Sequence, residues 1–150
     1  LALLDFLYQR HSFEKNMQMS KQEIKDEMKD AEGDPQIKRS QKQAMFHSIL
    51  RRITTQVPKA SVVITNPTHF AVALRYDDKT AAPVCVAKGA DHLALKIKER
   101  ARVSGVTIVE NPPLARSLFR SVELDRPIPP ELYQAVAQVL AYVYRLKGAA

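Results

Sequence analysis

A β-branched run, Ser61-Val62-Val63-Ile64-Thr65, leads directly into Asn66-Pro67-Thr68-His69, and this tetrapeptide holds the residues with the clearest chemistry in the chain. Asparagine usually degrades when the next backbone nitrogen attacks its side-chain carbonyl. Proline has no N–H, so that route is closed at Asn66. The reverse attack stays open. The Asn66 side-chain nitrogen can attack its own backbone carbonyl carbon, form a succinimide and expel the Pro67 nitrogen as an amine. The chain breaks, and hydrolysis later opens the succinimide. An amide is a poor nucleophile and an amine a poor leaving group, so the unassisted reaction is slow. A fold that holds the side chain against the carbonyl can supply roughly 7 to 11 kcal/mol through orientation. A residue before proline is also biased towards extended backbone, which suits a strand end. His69 is near enough in sequence to protonate the departing nitrogen or to orient the loop, and Thr68 to hydrogen-bond across the turn.

The competing reading is a plain β-turn, since Asn and Pro are both common turn residues. The sequence carries its own control in Asn111-Pro112. There the pair predicts a helix start, with the Asn side chain occupied as a capping acceptor. The dipeptide alone decides nothing. Other constellations are weaker still. Cys85, between Val84 and Val86, reads as a packed thiol; as the single cysteine it forms no internal disulfide and agrees with a reducing compartment. His11, His47, His69 and His92 lack metal-ligand spacing, and no Gly-rich phosphate loop or nucleophile elbow is present. No metal, no cofactor and no turnover enzyme is expected. Self-cleavage would be a single event per molecule.

The elements that must position the tetrapeptide fall in two regions. Residues 1–57 read as a membrane-proximal helical linker. Leu3, Leu4, Phe6, Leu7 and Tyr8 make an apolar start; Ser20-Lys21-Gln22-Glu23 has capping-box spacing for a helix from Lys21. Gly33-Asp34-Pro35 stops that helix and begins another, with Asp34 as N-cap and Pro35 at the first helical position. Its apolar residues, Ile37, Ala44, Met45, Ile49 and Ile53, are too sparse to bury much surface. Residues 58–150 read as one α/β domain: strands at 61–65, 70–76, 83–88 and 106–109, and helices from Asp91, Asn111 and Glu131. The first two strands are neighbours across a very short connection, which predicts an antiparallel pair. Gly89 is expected to end the third strand, and Gly105 the helix from Asp91. The predicted fold is a small mixed four-stranded sheet flanked by helices, preceded by an extended helical linker.

Charge is concentrated. The 150 residues carry a formal +7 with 45% apolar content, and 35–60 holds Lys38, Arg39, Lys42, Arg51, Arg52 and Lys59 without one Asp or Glu. Such a segment suits anionic lipid beside a membrane or a plain solvated helix face. Binding of nucleic acid is the alternative, but Phe46 is the one interleaved aromatic and no nucleic-acid motif accompanies the cations. No apolar run reaches the about 18 to 20 residues needed to span a bilayer. The chain opens on Leu1 without Met and meets Asp5 at once, which reads as a fragment of a longer protein.

Asn66-Pro67-Thr68-His69 at the end of a hydrophobic strand resembles the autocleavage motif of the FlhB/YscU family, the export-apparatus switch proteins. Val57-Pro58-Lys59-Ala60, Ala81-Ala82-Pro83-Val84, Val86-Ala87-Lys88-Gly89-Ala90, Pro112-Pro113-Leu114-Ala115-Arg116, Tyr133-Gln134-Ala135-Val136-Ala137 and Glu32-Gly33-Asp34-Pro35 look like that family too, the Ala-Pro-Val and Ala-Lys-Gly-Ala segments like its flagellar branch. The resemblance implies self-cleavage at Asn66-Pro67. It also implies a transmembrane portion before Leu1 and a place on the cytoplasmic side of the bacterial inner membrane. The implied role is to switch type III export from early rod-and-hook substrates to late filament substrates. Implied partners are FlhA-like export-gate membrane proteins, a hook-length ruler protein and the substrates themselves, with no nucleic acid. Substrates must dock on exposed apolar surface. Ala82 and Pro83 at a strand entrance, with Ala137 and Leu140 on the last helix, are candidates for a shallow groove. Packing in the core is the alternative for Pro83 and Leu140.

Overall fold

The computed structural model describes residues 6, 8–13, 34–77 and 80–148. The capping box at Ser20 and the helix expected from Lys21 lie outside the described residues. Helix α1 (Pro35–Gln56) begins as its sequence indicates, with the Asp34 carboxylate accepting the Gln36 N–H at 2.8 Å. Ile37 and Met45 on it are exposed, because scattered apolar residues give a helix no stripe to bury. Two compact units divide the chain, Leu1–Phe46 and His47–Ala150, so the unit containing the sheet starts within α1.

In that second unit β1 (Val62–Asn66), β2 (Phe70–Arg75) and β3 (Val84–Ala90) are followed by α2 (Asp91–Val103), β4 (Ile108–Glu110), α3 (Pro112–Ser121) and α4 (Tyr133–Gly148). The sheet has four strands in the order β3-β2-β1-β4. β2 is antiparallel to both its neighbours, while β1 and β4 run parallel. This is the mixed sheet flanked by helices that the alternation of patterns predicts.

Successive strand residues face opposite sides, so the sheet makes two cores. Val62, Ile64, Val72 and Leu74 pack against Leu114 and Leu118 of α3 and Val136, Leu140 and Val143 of α4. On the other face Val63, Ala71, Ala73 and Ala87 meet Ile97 and Ala101 of α2 and Ile53 of α1. Small residues on this second face let α2 lie close.

Several boundaries differ from the sequence reading: β3 starts at Val84 and the last helix at Tyr133, after a 3-10 turn over Pro130–Leu132, and two other shifts have a clear cause. Gly89 does not end β3; the ladder continues through Ala71↔Gly89 and Phe70↔Ala90. A Cβ at Gly89 would lie 2.6 Å from the Leu93 Cβ, so glycine is needed for the first turn of α2 to fold back on the strand. Strand β4 starts later than Val106 because α2 uses that residue's amide. Gly105 takes φ +68°, its N–H donates to the Arg102 carbonyl and the Val106 N–H to the Ala101 carbonyl, a Schellman closure. Asp91 opens α2 as its first residue, with Ala90 as an N-cap that makes no side-chain hydrogen bond. The Asp91 carboxylate is used elsewhere.

Candidate functional site

β1 and β2 form a hairpin whose register pairs Asn66 with Phe70, leaving Pro67, Thr68 and His69 as the connection. The connection closes as a turn in which the His69 N–H donates to the Asn66 carbonyl oxygen at 3.1 Å. Proline in the second position of such a turn is already set to the required φ. Attack on the Asn66 carbonyl carbon would put negative charge on that same oxygen, so the turn supplies a backbone donor where an oxyanion would form. Asn66 is half-buried, while Pro67, Thr68 and His69 are exposed. Among the described residues, the Asn66 carboxamide has no hydrogen-bond partner.

Three further contacts hold the connection. The His69 carbonyl accepts the Asp91 N–H at 2.8 Å. The Asp91 carboxylate approaches His69 Nδ1 at 3.7 Å. From further along α2, Lys98 Nζ donates to the Pro67 carbonyl oxygen at 2.5 Å. His69 therefore holds the loop through its backbone, with its ring close to the Asp91 carboxylate. Thr68 makes no side-chain hydrogen bond among the described residues.

The other Asn-Pro pair stands next to this one. β4 is parallel to β1 with Thr65 opposite Glu110, and the Asn111 N–H donates to the Thr65 carbonyl at 3.0 Å. Both strands thus leave the sheet at the same end through Asn-Pro. Asn111 Oδ1 accepts the Leu114 N–H at 3.2 Å, and its carbonyl accepts the Ala115 N–H at 2.9 Å. Its side chain is committed to capping α3.

The face of β1 bearing Asn66 is fixed from α3. Phe70, its cross-strand partner, stacks on Phe119 with ring centroids 4.6 Å apart. Lys88 on β3 ties down that end of α3 by donating to the Phe119 and Val122 carbonyls at 3.0 and 2.6 Å. Cations at a helix C-terminus also suit its dipole. Sequence reasoning missed Lys88, Asp91 and Lys98 as positioning groups, because each acts on residues distant in the chain.

Ala82, Pro83, Ala137 and Leu140 line a single cavity of about 370 Å³, walled by Tyr76, Tyr133 and Tyr144. Leu140 is both groove and core, being 5% exposed and packed with Val136 and Val143. Lys38, Arg39, Lys42 and Arg51 are exposed. Arg52, grouped with them in the sequence, is engaged instead. Its Nε donates to the Val86 carbonyl at 3.0 Å and its guanidinium pairs with Asp125. Val86 is the extra residue of a β-bulge, which turns its carbonyl outward to meet that donor. Burial pushes the Cys85 thiol up to about 11, so it is neutral and no nucleophile at ordinary pH.

The profile of the FlhB HrpN YscU SpaS family matches residues 1–143. The chain belongs to that family. It is 55% identical over 148 residues to the flagellar biosynthetic protein FlhB of Bacillus subtilis, covering 98% of this chain and 41% of that protein. The cytoplasmic domain of FlhB from Shewanella putrefaciens has a TM-score of 0.62 at 48% identity, covering 65% of this chain and 76% of that one. The EscU C-terminal domain with an asparagine-to-aspartate mutation has a TM-score of 0.59 at 29% identity, covering 61% and 98%. Within the family's domain, the Asn66 turn lies at one end of the sheet. No described helix is long and apolar enough to cross a membrane.

Proposed function

We propose that this chain is the switch portion of a flagellar export-gate protein and cuts its own backbone between Asn66 and Pro67. Asn66 Nδ2 forms a bond to the Asn66 carbonyl carbon, the bond from that carbon to Pro67 N breaks, and the Nδ2 proton passes to the Pro67 nitrogen. Water then opens the succinimide to a carboxylate. The observation that carries the reading is the contrast in side-chain use. Asn66 has an uncommitted carboxamide, no following N–H and a carbonyl oxygen already held by His69, while the neighbouring Asn111 has its Oδ1 engaged as a helix cap. The two pieces stay together, because β1 precedes the cut and β2 and β3 follow it within one sheet.

In this reading a segment before Leu1 anchors the chain in the bacterial inner membrane, and the domain works on its cytoplasmic side. The cut helps change export from early to late substrates, in concert with FlhA-like gate proteins and a length-sensing ruler. Export substrates lay an extended apolar segment in the groove of Ala82, Pro83, Ala137 and Leu140. N-terminal sequencing and intact mass of the purified protein test the chemistry. The expected result is two pieces, the second beginning at Pro67, that migrate as one particle under native conditions. Intact chain in both the parent and Asn66→Ala would sink the mechanism.

A second reading rests on α1, where Lys38, Arg39, Lys42 and Arg51 are exposed. A basic module of this kind binds acidic vesicles with strong salt sensitivity, and Asn66→Ala leaves that binding unchanged.

A further inference from the structure

Among the described residues, Lys98 is the single side chain that reaches from a helix to the backbone just beyond the scissile bond. It projects from α2, on the face of the sheet opposite α3, and is half-buried. An ammonium donating to a carbonyl oxygen is a strong, charge-assisted hydrogen bond. In the intact chain it pins Pro67 while the Asp91 N–H pins His69 and the His69 N–H pins Asn66. The connection is therefore held at each of its ends and at its proline.

Cutting changes the charges at this point. Pro67 N, an uncharged amide nitrogen before the cut, becomes a free secondary amine that takes up a proton at neutral pH. That nitrogen belongs to the same residue as the carbonyl oxygen that Lys98 grips, so two cations come to lie within a few ångströms. On the other side of the cut, hydrolysis of the succinimide creates a carboxylate on Asn66. The ionisable groups beside the cut, His69 on the connection and Asp91 on α2, face each other, and the cut removes neither.

We infer that Lys98 is a positioning residue whose contact inverts on cleavage: it holds Pro67 in the intact loop, then repels the new Pro67 ammonium and transfers to the Asn66 carboxylate. This rests on the self-cleavage reading and adds a device for converting one broken bond into a displaced loop. A neutral loop that merely lost its covalent tie would keep its hydrogen bonds to α2. The Lys98 ammonium makes the cut state reject them.

The test compares the cut parent with uncut Asn66→Ala, each with Lys98 kept, replaced by Met or replaced by Arg, in the full chain. Amide hydrogen exchange at His69 and Asp91, whose N–H groups hold the connection, reports the loop, and intact mass reports the cut. With Lys98 or Lys98→Arg, cutting should speed exchange about tenfold or more, and with Lys98→Met less than about threefold, as close like charges predict. Raising salt to about 1 M should shrink the effect in the parent but leave Lys98→Met unchanged. An equal ratio of cut to uncut exchange with and without the ammonium, or no salt effect, would overturn the inference while self-cleavage stood. An uncut parent by mass would remove both.

Discussion

Asn66-Pro67 and Asn111-Pro112 lie side by side, at the ends of two parallel strands that share a hydrogen bond from Asn111 to Thr65. They contain the same two residues and come after similar β-branched runs, yet they do different things. After Asn111 the chain turns into a helix, whose unpaired first-turn N–H groups recruit the Asn oxygen. After Asn66 the chain doubles back into a hairpin, which offers no orphan donors to the side chain and instead aims the His69 N–H at the backbone carbonyl. The side-chain oxygen caps a helix in one place, and in the other the carboxamide makes no hydrogen bond among the described residues. The element on the far side of the proline, helix or hairpin, decides how the asparagine side chain is used.

The comparison breaks most directly at Asn66. Asn66→Ala should abolish the cut altogether, and Asn111→Ala should leave it intact, both read by mass. A cut beginning at Pro112 in either protein would end the distinction. Next in size is Pro67→Gly, which restores an N–H after Asn66 and so reopens the ordinary route. Mass and peptide mapping should then find cleavage replaced by intact chain whose residue 66 has exchanged its carboxamide for a carboxylate.

The supports of the site should matter through stability and rate. Lys88→Met leaves the Phe119 and Val122 carbonyls without their donor, and a loss of about 1 to 3 kcal/mol of unfolding free energy is expected, measured by denaturant titration. Cleavage should slow alongside, because Phe119 backs Phe70, the partner of Asn66. The smallest change is the cap itself. Asn111→Ala should cost about 1 kcal/mol of stability, measured by urea unfolding, with cleavage near the parent rate. If Asn111→Ala slowed the cut as severely as Lys88→Met, the two Asn-Pro sites would be coupled through the sheet and not independent.

Much of this is legible in the sequence where local rules govern. The Asp34 cap and Pro35 opening, the short connection that makes β1 and β2 antiparallel, the Gly105 closure and the Asn111 cap each depend on a few adjacent residues. Gly89 looks like a stop in the sequence, yet its role is to admit Leu93, a contact created only when α2 folds back on β3. Asp91 reads as a cap for its own helix, but its carboxylate faces His69 across the hairpin end. Arg52 looks like one more surface cation until the β-bulge at Val86 presents it with a carbonyl. Ala82, Pro83, Ala137 and Leu140 do share one cavity, although no local pattern signals the three tyrosines around them.

By itself the sequence determined which bond could break, because the absence of an N–H on proline is a covalent fact that holds in any fold. It also determined that a strand runs up to Asn66 and that the same dipeptide at Asn111 starts a helix. Tertiary structure alone decided what surrounds the bond. The Lys98 grip on Pro67, the Asp91 N–H on the His69 carbonyl and the wall of Phe70 and Phe119 each join residues brought together by packing. No spacing along the chain encodes those distances. They depend on which helix lies on which face of the sheet.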